Sequence, residues 1–492
     1  MNFDLLLVPI AIIYLLVVAA LFVYGLNFFH LSWRAHVDRR ALNESTPAPM
    51  DQLPHVTVQL PIFNERYVAQ RLIESAAKLD YPKDLLEIHV LDDSTDDTRQ
   101  IAADIVEQLR SEGVDIKHLH RKNRHGFKAG ALADGLKVSR GEFILIFDAD
   151  FIPAPDFLKR ALSYFDNERV AFVQARWGHL NRDYSLLTFL QSLAIDAHFA
   201  VEQLARSRIG YWFNFNGTAG IWRKSAIEDA GGWTAETLTE DLDLSYRAFL
   251  RGWQARYAGE IVAPAELPVS MSAYRRQQHR WARGSLECAI RFVPLVWRAD
   301  APLAKRIEAV LHLTGYVVHL LLFALSLLYP LVLLLSMQYP TLISLFGIAV
   351  LFNFTALAPT TFFIVAQNAL GKKWIRAIPA ILFTSILGAG MMLNTVRAAL
   401  QIGFGKKGSF ERTPKYGITR RGQQWDATKY RVRIDSIVIF ELLMAFANLY
   451  TVILAFQSGN YFISFYAALF ALGLLFVSGF TIAQSVSTRT QP

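Results

Sequence analysis

Cysteine is nearly missing: Cys288 is the one thiol in 492 residues. Intramolecular disulfides and cysteine-based zinc sites are therefore excluded, and Cys288 is expected only to pack. No G-x-x-x-x-G-K-S/T run occurs, which rules out a phosphate-loop nucleotide hydrolase. Charge is scarce, with Asp, Glu, Lys and Arg making up 19% of the chain against 53% apolar residues. A balance this apolar in so long a chain points to membrane segments. The formal charge of +8 gives no reason to expect nucleic acid, because many basic residues flank apolar runs as positive-inside loops do.

The run Leu5 to Phe29 has no charged residue, is long enough to cross a bilayer core, and is followed by Arg34, Arg39 and Arg40. It starts behind Asp4 and ends in aromatics, so residues 1–31 read as a membrane anchor and not as a cleaved signal peptide. Residues 32–54 then read as a polar, proline-bearing linker, 55–283 as a domain with ordinary charge content, and 284–306 as an amphipathic interfacial segment. Two apolar spans, Ala309 to Met337 and Leu342 to Gln367, pair as a hairpin over 307–367. Ile434 to Phe456 and Tyr461 to Ala483 pair as another over 434–483, with a short tail at 484–492. The basic loop 403–433, with Lys406, Lys407, Arg412, Lys415, Arg420 and Arg421, is expected on the cytosolic side. A spanning segment at 375–402 would put that loop outside. The segment is therefore expected to lie in the interface or to re-enter, Gly388 and Gly390 weakening a straight helix.

Within 55–283, His55–Leu60, Leu86–Leu91, Val114–Leu119 and Glu142–Phe147 read as strands, alternating with helices at Arg66–Leu79, Asp96–Ser111 and Gly126–Val138. Such alternation predicts a parallel α/β sheet, whose ligands bind beyond the carboxyl ends of the strands. Three of those ends are polar: Asn64-Glu65, Asp92-Asp93-Ser94 and Asp148-Ala149-Asp150. Converging carboxylates repel one another and call for a cation. Asp148 and Asp150 suit one hard ion, Mg²⁺ or Mn²⁺, which neutralises a diphosphate. Asp96-Asp97 fits a helix cap as readily as a site, and His118 and His120 read as a satisfied strand face. Thr239-Glu240-Asp241, in a turn before the amphipathic Leu242–Arg251, and Gln277-Gln278-His279-Arg280-Trp281 add a base, a cation and an aromatic face. Those are the parts glycosyl transfer needs.

In that order the acids, DxD, TED and Q-x-x-R-W resemble the processive glycosyltransferases of the cellulose synthase superfamily, in glycosyltransferase family 2. The runs VQLPIFNER, VLDDSTDDT, NRHGFKAGAL, FDADFIPAPDFL, FNGTAGIWR, TEDLDLSYRA and AYRRQQHRW are similar to the plant cellulose synthase-like A and C branch. The resemblance implies an α/β glycosyltransferase-A (Rossmann-like) cytosolic domain plus an α-helical transmembrane bundle. It implies a hexosyltransferase that uses UDP-glucose or GDP-mannose and a growing polysaccharide acceptor, in an integral protein of the plasma (inner) membrane. Carried over residue by residue, Glu65, Asp92, Asp93, Lys128, Asp148 and Arg280 would hold the nucleotide sugar, Asp148 and Asp150 the metal, and Asp241 would be the base. Phe215, Asn216, Gly217, Thr218, Glu240, Gln277 and Trp281 would border the acceptor. Phe410, Thr413 and Lys415 match a gating loop, while Arg412 and Pro414 depart from its pattern. Trp281 also fits an interfacial anchor, and Trp177, Trp212 and Trp222 fit either the acceptor path or the core. A non-processive transferase acting on a membrane lipid shares the same acids, and product length separates the two.

Overall fold

The central strand Val56–Ile62 (β1) is buried at all but one position, as a strand covered on both faces must be. The computed structural model describes residues 4–43, 47–48, 50, 52–338, 353–406, 408, 410–425 and 435–487. A long helix, Asp4–Val37 (α1), precedes β1, and Ala69–Ala77 (α2), Leu86–Asp92 (β2), Thr98–Ser111 (α3), Ile116–His120 (β3), Phe127–Lys137 (α4) and Phe143–Ile146 (β4) follow it. Helix α3 buries Ala102, Val106 and Leu109, one stripe at helical spacing. Then come Phe157–Leu162 (α5), Val170–His179 (β5), Leu186–Ala197 (α6), a π-helical turn at His198–Gln203, Leu204–Ile209 (α7), Gly220–Arg223 (β6), Lys224–Asp229 (α8), Glu240–Leu250 (α9) and Gln254–Ala265 (β7).

The strands form one sheet in the order β3-β2-β1-β4-β6-β5-β7. The fold class is as expected, but the sheet is mixed: β6 runs antiparallel to both β4 and β5. Its four residues follow a loop and not a crossover helix, so periodicity does not announce it. The helices at the end of the domain also differ from expectation. Met271–Arg298 (α10) is unbroken, so Gln277, Arg280 and Trp281 share one helix with the interfacial segment. Helix α1 likewise continues to Val37, well into the expected linker.

Leu303–Leu313 (α11) and Val317–Gln338 (α12) divide the first expected span between them. Of the second, Leu342 through 352 lies outside the described residues, and the described remainder is a turn followed by Ala358–Ala369 (α13), packed on α1. Trp374–Gly390 (α14) and Met392–Gly403 (α15) follow, then Ile437–Gln457 (α16) and Tyr461–Ser487 (α17). Among the described residues five helices are long and apolar enough to cross a membrane, Trp374–Gly403 being one of them. The expected five held Leu342–Gln367 in its place. An integral membrane protein is the outcome either way.

The two halves of Trp374–Gly403 part at Met391, beside Gly390, whose backbone lies against the Gly473 carbonyl of α17. Both ends return to the α/β domain: Lys372 reaches Asp196 at 2.7 Å, and Arg283 donates to Gln401 at 3.2 Å.

Arg275 of α10 holds Glu441 of α16 through both carboxylate oxygens, at 2.5 and 2.6 Å, with both side chains buried. A charge left there without its partner costs about 3–5 kcal/mol. Glu441→Gln is expected to lower the thermal midpoint of the detergent-solubilised protein, and an unchanged midpoint would deny this pair its part in joining α10 to the helix bundle.

Candidate active site

Strands β1, β2, β4 and β7 end on one side of the sheet, and the loops leaving them gather the acids. Asp148 receives its backbone alignment from Thr218, whose Oγ1 accepts the Asp148 N–H at 2.8 Å. Each carboxylate of the DxD pair then holds an ammonium: Lys128 Nζ lies 2.6 Å from Asp148, and Lys415 Nζ lies 2.7 Å from Asp150. Like charges brought this close to a strand end need cations, and two lysines answer here. Among the described residues no three His, Cys, Asp or Glu side chains cluster as a metal cage. A magnesium-type ion needs only one or two carboxylates when substrate phosphates complete its shell, so the pair fits such an ion.

Lys128 also donates to the Gly217 carbonyl at 2.8 Å and approaches Glu240 at 3.7 Å. Gly217 has a φ of +76°, and a Cβ there would meet Asp241 Oδ2 at 2.9 Å, so this turn can press against Asp241 only as glycine. Burial, with Glu240 beside it, pushes the Asp241 carboxyl up to about 7, against the pull of Lys128. Burial likewise pushes Glu65 up to about 8, partly offset by Arg412 at 3.4 Å. Burial pulls Lys128 down, but Asp148 and Glu240 outweigh it, and its pKa ends raised.

Two cavities meet at Asp241. One, of about 160 Å³, contains Glu65, Asp93, Lys128, Asp148, Asp150 and Arg280 in its wall. The other, of about 410 Å³, runs past Tyr274 and His312 to Tyr24 and Phe28 of α1. Asp241, Asn216, Gln277, Trp281 and Trp177 line both. The loop after α15 closes the smaller one: Phe410 lies over Phe127 with ring centroids 6.0 Å apart and against the Arg280 guanidinium at 4.5 Å, while Thr413 and Lys415 are buried.

The structure therefore brings Glu65, Asp93, Lys128, Asp148, Asp150, Asn216, Gly217, Glu240, Asp241, Gln277, Arg280, Trp281, Phe410, Thr413 and Lys415 to the smaller cavity. Three expected residues are not in that wall. Asp92 points inward, where His118 at 2.9 Å and the Ser94 N–H at 2.8 Å satisfy it. Of the face expected to be satisfied, His118 pairs with this carboxylate, whereas His120 Nδ1 stays 3.5 Å from it and is buried without a hydrogen-bond partner among the described residues. Phe215 is buried among Phe172 and Trp222, and Thr218 acts through Asp148. Trp212 and Trp222 also belong to the core, and Trp177 alone of the three lines the cavities. Glu240 and Asp241 open α9 itself, not a turn ahead of it.

Sequence reading missed Glu266, just past β7, whose carboxylate accepts the Tyr416 N–H at 2.9 Å and whose carbonyl accepts from Lys415 at 2.6 Å. Following strand ends past Asp150 would have found it. It also missed Arg124, which lies 3.5 Å from the Phe63 ring centroid, and His198 and Glu202 in the larger cavity. No motif flags those two; the π-helical turn that carries them is a signal only in three dimensions.

Residues 54–284 match the family described as glycosyltransferase like family 2. Glucomannan 4-beta-mannosyltransferase 2 of Arabidopsis thaliana is 49% identical over 236 residues, 47% of this chain and 44% of that protein. Glucomannan 4-beta-mannosyltransferase 1 of Oryza sativa subsp. japonica is 44% identical over 261 residues, 51% of this chain and 50% of that protein. The matched part thus spans about half the length of these curated relatives. Among solved structures, a mannosyltransferase from Pyrobaculum calidifontis in complex with GDP-Man and Mn²⁺ superposes with a TM-score of 0.54 at 21% identity, over 81% of this chain and all of that one, a likeness of fold.

Proposed function

We propose that this chain, whose residues 54–284 match the family described as glycosyltransferase like family 2, is a membrane-embedded, inverting hexosyltransferase that elongates a β-linked mannan or glucomannan from GDP-mannose. The observation that carries this reading is the position of Asp241 at the junction of the two cavities, with a cation-seeking acid pair on one side and an aromatic, polar path on the other. The nucleotide sugar would occupy the smaller cavity, with Arg280 and Lys128 meeting its diphosphate and Glu65 and Asp93 its nucleoside. Asp148 and Asp150 would hold Mg²⁺ or Mn²⁺, which supplies charge neutralisation to the leaving diphosphate. Asp241, as general base, removes a proton from an acceptor hydroxyl placed by Gln277, Asn216 and the face of Trp281. That oxygen attacks the anomeric carbon, and the bond to the diphosphate breaks. The lengthened chain would leave through the larger cavity.

A base must be ionised to work, so the raised pKa of Asp241 sets the acid limb of the rate. Below about 7, kcat/KM is expected to fall about tenfold per pH unit, and above it to level off. A flat profile between pH 5 and pH 8 would remove Asp241 from that role.

The decisive experiment incubates the purified protein in lipid with GDP-mannose or UDP-glucose and Mn²⁺ or Mg²⁺, then digests the product with linkage-specific glycanases. Polymer cut by a β-mannanase is expected from GDP-mannose. A short glycolipid in its place would establish the lipid-transferase alternative. The same reading puts the α/β domain and loop 403–433 in the cytosol and makes α14 and α15 a re-entrant pair, supported by the return of both ends to the domain. Cys288 is fully buried, so a cysteine introduced at Arg420 can be labelled against little background. Labelling from the cytosolic face alone is expected.

A further inference from the structure

A third cavity, of about 240 Å³, lies between α10, α15, Lys406, Glu411 and Asp435. Its wall carries five Arg or Lys side chains and two carboxylates. Two of the cations are spoken for: Arg397 holds Asp435 at 2.6 Å, and Arg283 holds Glu287 at 2.8 Å. Arg276 faces Glu411 at a loose 3.7 Å, and among the described residues neither Arg280 nor Lys406 has a carboxylate in ion-pair contact. Two polar atoms of the wall residues, His279 Nε2 and Arg397 Nε, are buried without a described hydrogen-bond partner. Burial, then the charges of Arg397 and Arg283, pulls the His279 imidazole down to about 4.

Directly along the same two helices runs an open apolar groove of about 440 Å³, with Leu286, Ile290 and Val293 of α10 on one side and Ala399 and Ile402 of α15 on the other. His279, Arg283, Leu286, Ile290 and Val293 follow at steps of three or four residues, so a single stripe of α10 passes from the basic cavity into the groove. Ile290 is 67% exposed in the groove. A phosphate beside a pair of acyl chains matches that sequence of surfaces in charge and in polarity, and a basic pocket between helices on the cytosolic side is where anionic headgroups bind.

We propose that the cavity and groove together form a binding site for one anionic glycerophospholipid, its phosphate between Arg276 and Lys406 and its acyl chains along Ile290 and Ile402. An anion there competes with Glu411 for Arg276, and so bears on the loop that carries Lys415 to Asp150.

The test uses the full-length protein in nanodiscs of phosphatidylcholine, with or without phosphatidylglycerol, and counts retained lipid by native mass spectrometry. One phosphatidylglycerol is expected to stay bound, with no preference for phosphatidylcholine. The rim variant Arg276→Gln/Lys406→Gln should bind it roughly ten- to thirty-fold more weakly. Ile290→Gln, which keeps every charge, should also weaken retention. In a separate arm, inorganic phosphate is titrated into the phosphatidylcholine sample. Phosphate binding that the rim variant abolishes, without retained phosphatidylglycerol, would make the ligand a soluble phosphate and overturn the lipid. Equal retention by wild type and both variants, or none, would overturn the site. Binding is read without any nucleotide sugar, so failure here leaves the transferase reading intact.

Discussion

Asp241→Asn is expected to lower transfer by about 10²–10⁴-fold while leaving GDP-mannose binding within a small factor of wild type. Asparagine keeps the size and one acceptor oxygen, so Leu242, whose N–H reaches Asp241 Oδ1 at 2.9 Å, retains its partner and α9 its first turn. What is lost is the only thing a base contributes, a site for the acceptor's proton. Calorimetric donor affinity alongside single-turnover rates separates the two effects. A variant that still transfers at a tenth of the normal rate would mean that the proton leaves by another route.

Removal of divalent cations is expected to be nearly as severe. Lys128 and Lys415 balance Asp148 and Asp150 at 2.6 and 2.7 Å, yet a nucleoside diphosphate adds negative charge that two shared ammoniums do not cover. Loss of a bound cation's charge stabilisation, several kcal/mol, predicts a drop of about 10³-fold or more in chelator, reversed by added Mn²⁺. Asp150→Asn should raise the cation concentration needed for half-maximal rate by at least about tenfold, and should leave Lys415 without its ion pair though still bonded to the Glu266 carbonyl. Chelator-resistant turnover would assign the diphosphate to Arg280 and the lysines alone.

Much of this site was legible in one dimension because the rule behind it is local. A strand that ends in Asp148-Ala149-Asp150 delivers its acids to the ligand edge whatever packs around it. Neighbouring residues part company where alternation decides. Asp92 ends β2 facing His118 on β3, whereas Asp93, one residue on, reaches Arg121 at 2.6 Å and the cavity. Adjacent acids look alike in a string of letters, and strand pairing alone tells the inward one from the outward one.

Hydropathy likewise found the apolar runs by itself, since the bilayer sets their length and composition. Composition excluded disulfides, and motif order put base, cation and aromatic face in a single domain. Tertiary structure decided the rest: the antiparallel insertion of β6, the continuity of α10 from Arg280 to the interfacial segment, the break at Met391, and the contact of Lys415 with Asp150 across more than half the chain. Each depends on side chains distant in sequence competing for one space. Periodicity reports what a residue's own neighbours do, and it carries no record of which distant charge will come to neutralise it.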